Sequence, residues 1–269
     1  MTKTKLIGGA IAAAALLVPA VAAAQDNPYA PLGIRSGAFL IFPSLRAGAA
    51  YDDNVFATES DEEDDFIFTL RPEVSAQSQW SRHSLELSAF GEVGLYQDFD
   101  DNNYEDFGAA LSGTLDVRRN SRSDGRLGIT RLHEDRDDPD DTGGDDVTQF
   151  WFYDATIGHR HEFNRLFVRP TAFARRYAYE EAGEFSNAER DYNNYGLGLR
   201  SGVIVSPRIN VFAEVNGDLV RYDDGEPDNE DSEGYQVLGG VEVDVTRLIV
   251  GEASLGYGAR DYAGAFDAT

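Results

Sequence analysis

The chain has 269 residues, no cysteine, and 48 acidic against 23 basic residues, for a formal net charge of −25. Without cysteine there can be no disulfide, thiol catalysis or thiolate metal site, and the acidic balance argues against a nucleic-acid partner, since phosphate binding draws on clustered positive charge. A mean hydropathy of −0.40 does not exclude a membrane protein, because a β-barrel turns apolar residues to lipid only at alternate positions.

Residues 1–24 read as an export signal. Lys3 and Lys5 supply the positive start, Leu6 to Val21 an apolar core, and Ala22-Ala23-Ala24 a small-residue cleavage site before Gln25. The core is too short for an uncleaved membrane anchor. No later segment is a membrane-helix candidate, since a run of about 18 apolar residues does not recur. Residues 25–37 are expected to be a periplasmic segment, and residues 38–269 a β-barrel.

From there the chain alternates between two kinds of connection. Short turns rich in Arg, Ser, Asn and Pro centre on Arg82, Asn120, Asn164, Pro207 and Arg247, at intervals of 38, 44, 43 and 40 residues. Acidic loops fall between them, around Asp61, Asp101, Asp138, Glu184 and Asp228. The loops 52–65, 98–106, 134–146, 180–191 and 223–233 hold 33 of the 48 acidic residues. Each period is a pair of long antiparallel strands, short-turned at one end and long-looped at the other, which is how an outer-membrane barrel distributes its connections.

Eleven strands are predicted, at 40–51, 66–80, 84–97, 106–118, 124–134, 148–160, 166–179, 192–205, 209–222, 235–245 and 249–262. In 66–80, Phe66, Phe68, Leu70, Pro72, Val74, Ala76 and Trp80 alternate with Ile67, Thr69, Arg71, Glu73, Ser75, Gln77 and Gln79. A period of two sends these sets to opposite faces of a sheet, and such a strand is long enough to cross a bilayer at the usual tilt. The fold expected is all-β: an antiparallel, up-and-down transmembrane barrel. Eleven strands end outside the cell, whereas single-chain bacterial barrels close with an even number, so a barrel of 12 or more strands is expected, of which this chain is a fragment.

A soluble β-sandwich would also show one apolar face. Two features favour the membrane. The apolar face carries no charge through the middle of most strands. Aromatics also gather at strand ends as an interfacial girdle would: Tyr51, Phe66, Phe107, Tyr192, Tyr195 and Tyr235 near the acidic loops, and Trp80 at a short turn. Two strands depart from the pattern. Arg131 and His133 fall on an apolar face near the loop end, and Phe167 and Phe173 sit among polar neighbours.

The polar face is the candidate lumen. Arg46, Arg71, Arg126, Arg169, Arg175, Arg200 and Arg260 share it with Glu73, Glu86, Glu92, Asp116, Glu214, Asp218, Glu242, Asp244 and Glu252. Such opposed charges either select solutes in a pore or pair across strands and hold the interior together; the two roles are compatible, and pairing is expected to dominate. The acidic loops offer oxygen ligands for Ca²⁺ or Mg²⁺. They lack the ordered spacing of a calcium loop, however, so diffuse cation attraction is expected rather than a defined metal site. His159 and His161 share a face at a strand end, but histidine spacing alone assigns no site. Catalytic motifs are missing: there is no nucleophile elbow, phosphate loop or zincin pattern. No cofactor is expected, and the chain is read as not an enzyme.

Three stretches carry a family resemblance: Phe42-Pro43-Ser44-Leu45, Tyr51-Asp52-Asp53-Asn54-Val55-Phe56 and Leu70-Arg71-Pro72. They resemble the opening strands of the putative β-barrel porin 2 family, outer-membrane proteins discussed with exopolysaccharide export in Gram-negative bacteria. The resemblance implies a barrel in the outer membrane, with lipid and either polysaccharide or small solutes as its partners. The sequence therefore leads to a porin-like passage. A non-conducting surface barrel that binds divalent cations or a partner through its acidic loops is the alternative, and an outer-membrane hydrolase the third.

Overall fold

A computed structural model describes residues 5–7 and 11–15 as backbone, and residues 32–136, 138, 147–183, 186–224, 230–246 and 249–263 in full. The remainder of the expected leader, residues 25–31, most of the acidic stretch 137–146, Glu184, Asp228, Arg247 and residues 264–269 lie outside the described residues.

The strands are β1 Lys5–Ile7, β2 Ile11–Ala15, β3 Ile34–Ser36, β4 Phe39–Asp52, β5 Asp65–Ser78, β6 His83–Tyr96, β7 Tyr104–Arg118, β8 Ser121–His133, β9 Gln149–Phe163, β10 Leu166–Tyr179, β11 Tyr192–Ser206, β12 Ile209–Tyr222, β13 Ser232–Asp244 and β14 Val250–Tyr262. From β4 to β14 each strand pairs antiparallel with the next in one continuous sheet, without a crossover. These long strands contain 13 to 15 residues each, well beyond the five or six of ordinary soluble sheets. The two ends of the sheet do not pair with each other. β3 folds back on β4 at one end, and β1 and β2 lie along β14 at the other.

All eleven predicted strands are present, and β3 adds a short one that the pattern did not mark. The boundaries differ most, by three residues each, at two short turns and at the start of β13 beside an acidic loop. Arg118 pairs with Ser121 and Phe163 with Leu166, which leaves only residues 119–120 and 164–165 to turn the chain. Asn164 takes a φ of 59°, a left-handed conformation that asparagine tolerates and two-residue hairpins require. Ser121, Arg122 and Ser232 therefore belong to the ladder, although in sequence such polar residues read as loop.

Charge pairs that jump strands show which way the sheet bends. Arg200 on β11 reaches Glu252 on β14 at 2.8 Å, although three flat strand spacings amount to about 14 Å. Arg260 on β14 reaches Asp218 on β12, and Arg169 on β10 reaches Asp124 on β8. The charged face is thus concave. The convex face carries the apolar set of alternate residues, and it is open: Leu197 is 70% exposed, Ile157 62% and Leu255 62%. Few apolar side chains are buried at all. An exposed apolar surface this continuous has no place in water; it is the lipid face of a membrane barrel.

Candidate functional site

Period two places the predicted charges on the concave face, and the register brings most of them into pairs. On β4 to β6, Glu73 accepts from Arg46 at 2.6 Å and from Arg71 at 2.7 Å, and Arg71 also reaches Glu92 at 2.9 Å. On β8 to β10, Arg126 pairs with Asp154 at 3.2 Å and Arg169 with Asp124 at 3.1 Å. On β11 to β14, Arg200 joins Glu214 and Glu252, and Arg260 pairs with Asp218 at 2.5 Å. Glu242 accepts from the Asn210 amide at 2.7 Å.

Four of the predicted residues stand apart. Asp244 lies opposite Val250 at the end of β13, without an ion pair among the described residues. Arg175 lies 4.6 Å from the centre of the Phe173 ring and meets no carboxylate among the described residues. Glu86 lies opposite Gln77 and Ser112, without an ion pair among the described residues. Asp116 meets Arg122 only at 4.0 Å.

Glycine makes room for one of the bridges that cross a strand. The Arg260–Asp218 pair passes over β13 at Gly234, where a Cβ would fall 2.7 Å from both Arg260 Nη2 and Asp218 Oδ1. The inward Phe167 and Phe173 are explained in the same way. Their rings lie on Gly202 and Gly196, with Arg160 3.8 Å above Phe167. Flat rings with a guanidinium above them form a cation–π stack, so these phenylalanines are supports for inward charges.

The register also assembles a site that was not singled out from the sequence. Phe152, Tyr177, Tyr192 and Tyr222 are direct cross-strand neighbours on β9 to β12. Their rings follow one another at 4.7, 4.6 and 5.2 Å between centroids. Phe150 and Tyr179 pair beside them at 5.2 Å. This half-buried row crosses the concave face at its acidic-loop end. Tyr192 accordingly does not belong to the lipid girdle: it shares strand parity with Asn194 and Arg200. The other expected girdle residues, Tyr51, Phe66, Phe107, Tyr195, Tyr235 and Trp80, are exposed. The signal that could have found the row is parity at four strand ends, read together with the register.

The acidic-loop rim is braced by carboxylates. Asp65, 1% exposed, accepts from the backbone N–H groups of Phe66, Gln97, Asp98 and Phe99, and so anchors the β6–β7 loop. Arg131 and His133 do not meet lipid as free polar groups. Arg131 binds Glu180 at 2.7 Å; His133 Nδ1 lies 2.9 Å from Asp106, and its ring stacks on Tyr104 at 3.6 Å. Beyond β12, Asp223 accepts from Arg176 at 2.7 Å and Asn193 at 3.0 Å. The hydrogen bond from Arg176 holds the Asp223 carboxyl below the usual carboxylate range. Among the described residues no group of three or more His, Asp or Glu is placed to hold a metal ion.

A family model described as putative beta-barrel porin 2 matches residues 27–267, nearly the whole chain. The chain belongs to the putative β-barrel porin 2 family. Among solved structures, this barrel porin is similar to a copper transporter, OprC, with 13% identity and a TM-score of 0.42 over 81% of this chain and 43% of that one. It is also similar to the toluene transporters TodX of Pseudomonas putida (9% identity, TM-score 0.32, covering 84% and 79%) and TbuX of Ralstonia pickettii (10%, 0.29, 84% and 78%). The porin thus spans less than half the length of the copper transporter. No curated protein matches it.

Proposed function

We propose that this barrel porin forms a water-filled passage across the outer membrane of a Gram-negative bacterium, reached through a cleaved export signal. Its acidic loops face outward and its short turns face the periplasm. One observation carries the reading: a single face of eleven long strands is concave and charged, while the other is apolar through the middle of the strands. Lipid accepts only the second face, so the first encloses water. Arg46, Arg71, Glu73, Glu92, Arg200 and Glu252 then project into the lumen. Their mutual pairing leaves a polar wall without a strong net field, which a hydrophilic solute can pass. The aromatic row adds flat apolar ring faces beside those charges, and this favours a saccharide, whose ring C–H surfaces stack on aromatics while its hydroxyls hydrogen-bond.

Reconstitution of the full chain in planar bilayers tests the reading. Stepwise conductance is expected, reduced when sugar oligomers occupy the lumen. A bilayer that stays silent, with correctly inserted protein, rejects the passage and favours a surface barrel that binds cations or a partner through its loops.

A further inference from the structure

At the short-turn end the charge balance reverses. A cavity of about 600 Å³ is lined by Arg82, Arg118, Arg119, Arg122 and Arg160, with Asp116 and Glu162 as its carboxylates. Five guanidinium groups against two carboxylates leave an excess of three positive charges, in a chain whose net charge is −25. Farther along the same face, arginines such as Arg46, Arg71, Arg126, Arg169, Arg200 and Arg260 each hold a carboxylate.

Here Arg82, Arg118 and Arg119 meet no carboxylate among the described residues, and only Arg160 is closely paired. Arg82 donates to the backbone carbonyl of Asp116 at 3.2 Å, and so spends one donor without meeting a charge. Arg122 stands 4.0 Å from the Asp116 carboxylate. Arg160 uses Nε on Glu162 at 2.9 Å and stands over the Phe167 ring at 3.8 Å, which fixes its fork and leaves its two terminal nitrogens for another acceptor. Gathering five guanidiniums in one cavity is unfavourable by Coulomb repulsion. An oxyanion in their midst removes that cost and gains charge-assisted, two-pronged hydrogen bonds.

We propose that this arginine vestibule binds the oxyanionic groups, carboxylate or phosphate, of the solute that the passage carries. The proposal rests on the passage reading and narrows it to an acidic sugar chain. Strand geometry supplies the length. Arg160 and Phe152 lie on β9 with the same parity, eight residues apart, which is about 27 Å at the strand rise. A solute that touches both the vestibule and the aromatic row must therefore be extended. A lipid phosphate is the other source of the same chemistry, but the vestibule shares the concave face with Glu162 and Phe167, away from lipid.

The test uses the full chain refolded in detergent micelles. Binding of oligogalacturonate, of neutral dextran oligomers and of inorganic phosphate is measured by calorimetry at low salt. Oligogalacturonate is expected to bind, dextran much more weakly, and the affinity to fall with added salt. Arg118→Gln with Arg119→Gln should weaken oligogalacturonate about tenfold, which is about 1.4 kcal/mol. Glu162→Gln, which removes a competing carboxylate, should tighten it. Heat-modifiable gel mobility confirms that each variant is folded. Equal binding of dextran, or indifference to both variants, overturns the proposal. So does a double variant that loses only its retention on phosphatidylglycerol vesicles, since the site would then belong to lipid. A silent bilayer with oligogalacturonate binding intact would reject the passage and leave the anion site standing.

Discussion

Leu199 is the eighth of the fifteen residues of β11 and sits at mid-strand on the convex face, between Pro170 and Val215 on its neighbours. It is 47% exposed, as is Tyr195 on the same face. Replacing each with arginine separates a membrane barrel from a soluble sheet. Four residues at about 3.4 Å each, along a strand tilted about 40°, place Tyr195 about 10 Å nearer the outer interface. Arginine costs about 2–4 kcal/mol at the bilayer midplane and about 0–1 kcal/mol near the interface. Leu199→Arg should therefore destabilise the barrel by roughly 3 kcal/mol, and Tyr195→Arg by less than about 1 kcal/mol. With a urea slope near 3 kcal/mol per molar, the first change moves the midpoint by about 1 M. Equilibrium unfolding from lipid vesicles, followed through Trp80 and Trp151, reports both. Equal costs at the two positions, or no cost at Leu199, would refute the assignment of this face to lipid.

Three further outcomes follow from the concave face and the rim. Arg200→Met strands Glu214 and Glu252 and should lose about 1–3 kcal/mol, less than for a fully buried pair because water reaches part of the site; converting both glutamates to glutamine as well should recover most of it, and failure to recover it would show that the pairs do not brace the sheet. Gly234→Ala should cost about 1–2 kcal/mol by intruding on the Arg260–Asp218 bridge, a cost that vanishes in an Asp218→Ala, Arg260→Ala background if the clash is its cause. Asp223, whose carboxyl is depressed by Arg176, stabilises the rim at pH values above its unfolded pKa of about 3.9, and that contribution disappears as pH falls through its lower folded value. Carboxyl titration by NMR should find Asp223 below about 3.9, with the shift abolished in Arg176→Met; an ordinary value in the intact protein would remove the clamp from the rim.

Much of this could be read directly from residue order. Leu85, Leu87 and Ala89 alternating with Glu86 and Ser88 settle which residues share a face, because side-chain direction in a strand has a period of two. Strand starts such as Ser121–Arg122 were misplaced because polarity cannot separate the first residue of a ladder from the last of a turn; the partner's hydrogen bonds decide it. Net charge was misleading in one respect. An acidic total concealed an arginine cluster assembled from Arg82, Arg118, Arg119, Arg122 and Arg160, which no stretch of sequence contains as a unit.

The strand rhythm, the two faces and the acidic and short-turned ends follow from residue order, since all three are local consequences of side-chain alternation and turn chemistry. Tertiary structure alone decided which charges meet, that four aromatic rings form one row, and that five arginines share a cavity. Those features depend on register and curvature, which bring together residues as far apart as Arg82 and Arg160, or Arg200 and Glu252. Alternation fixes the direction of a side chain within its own strand; only hydrogen bonding between strands fixes what stands beside it.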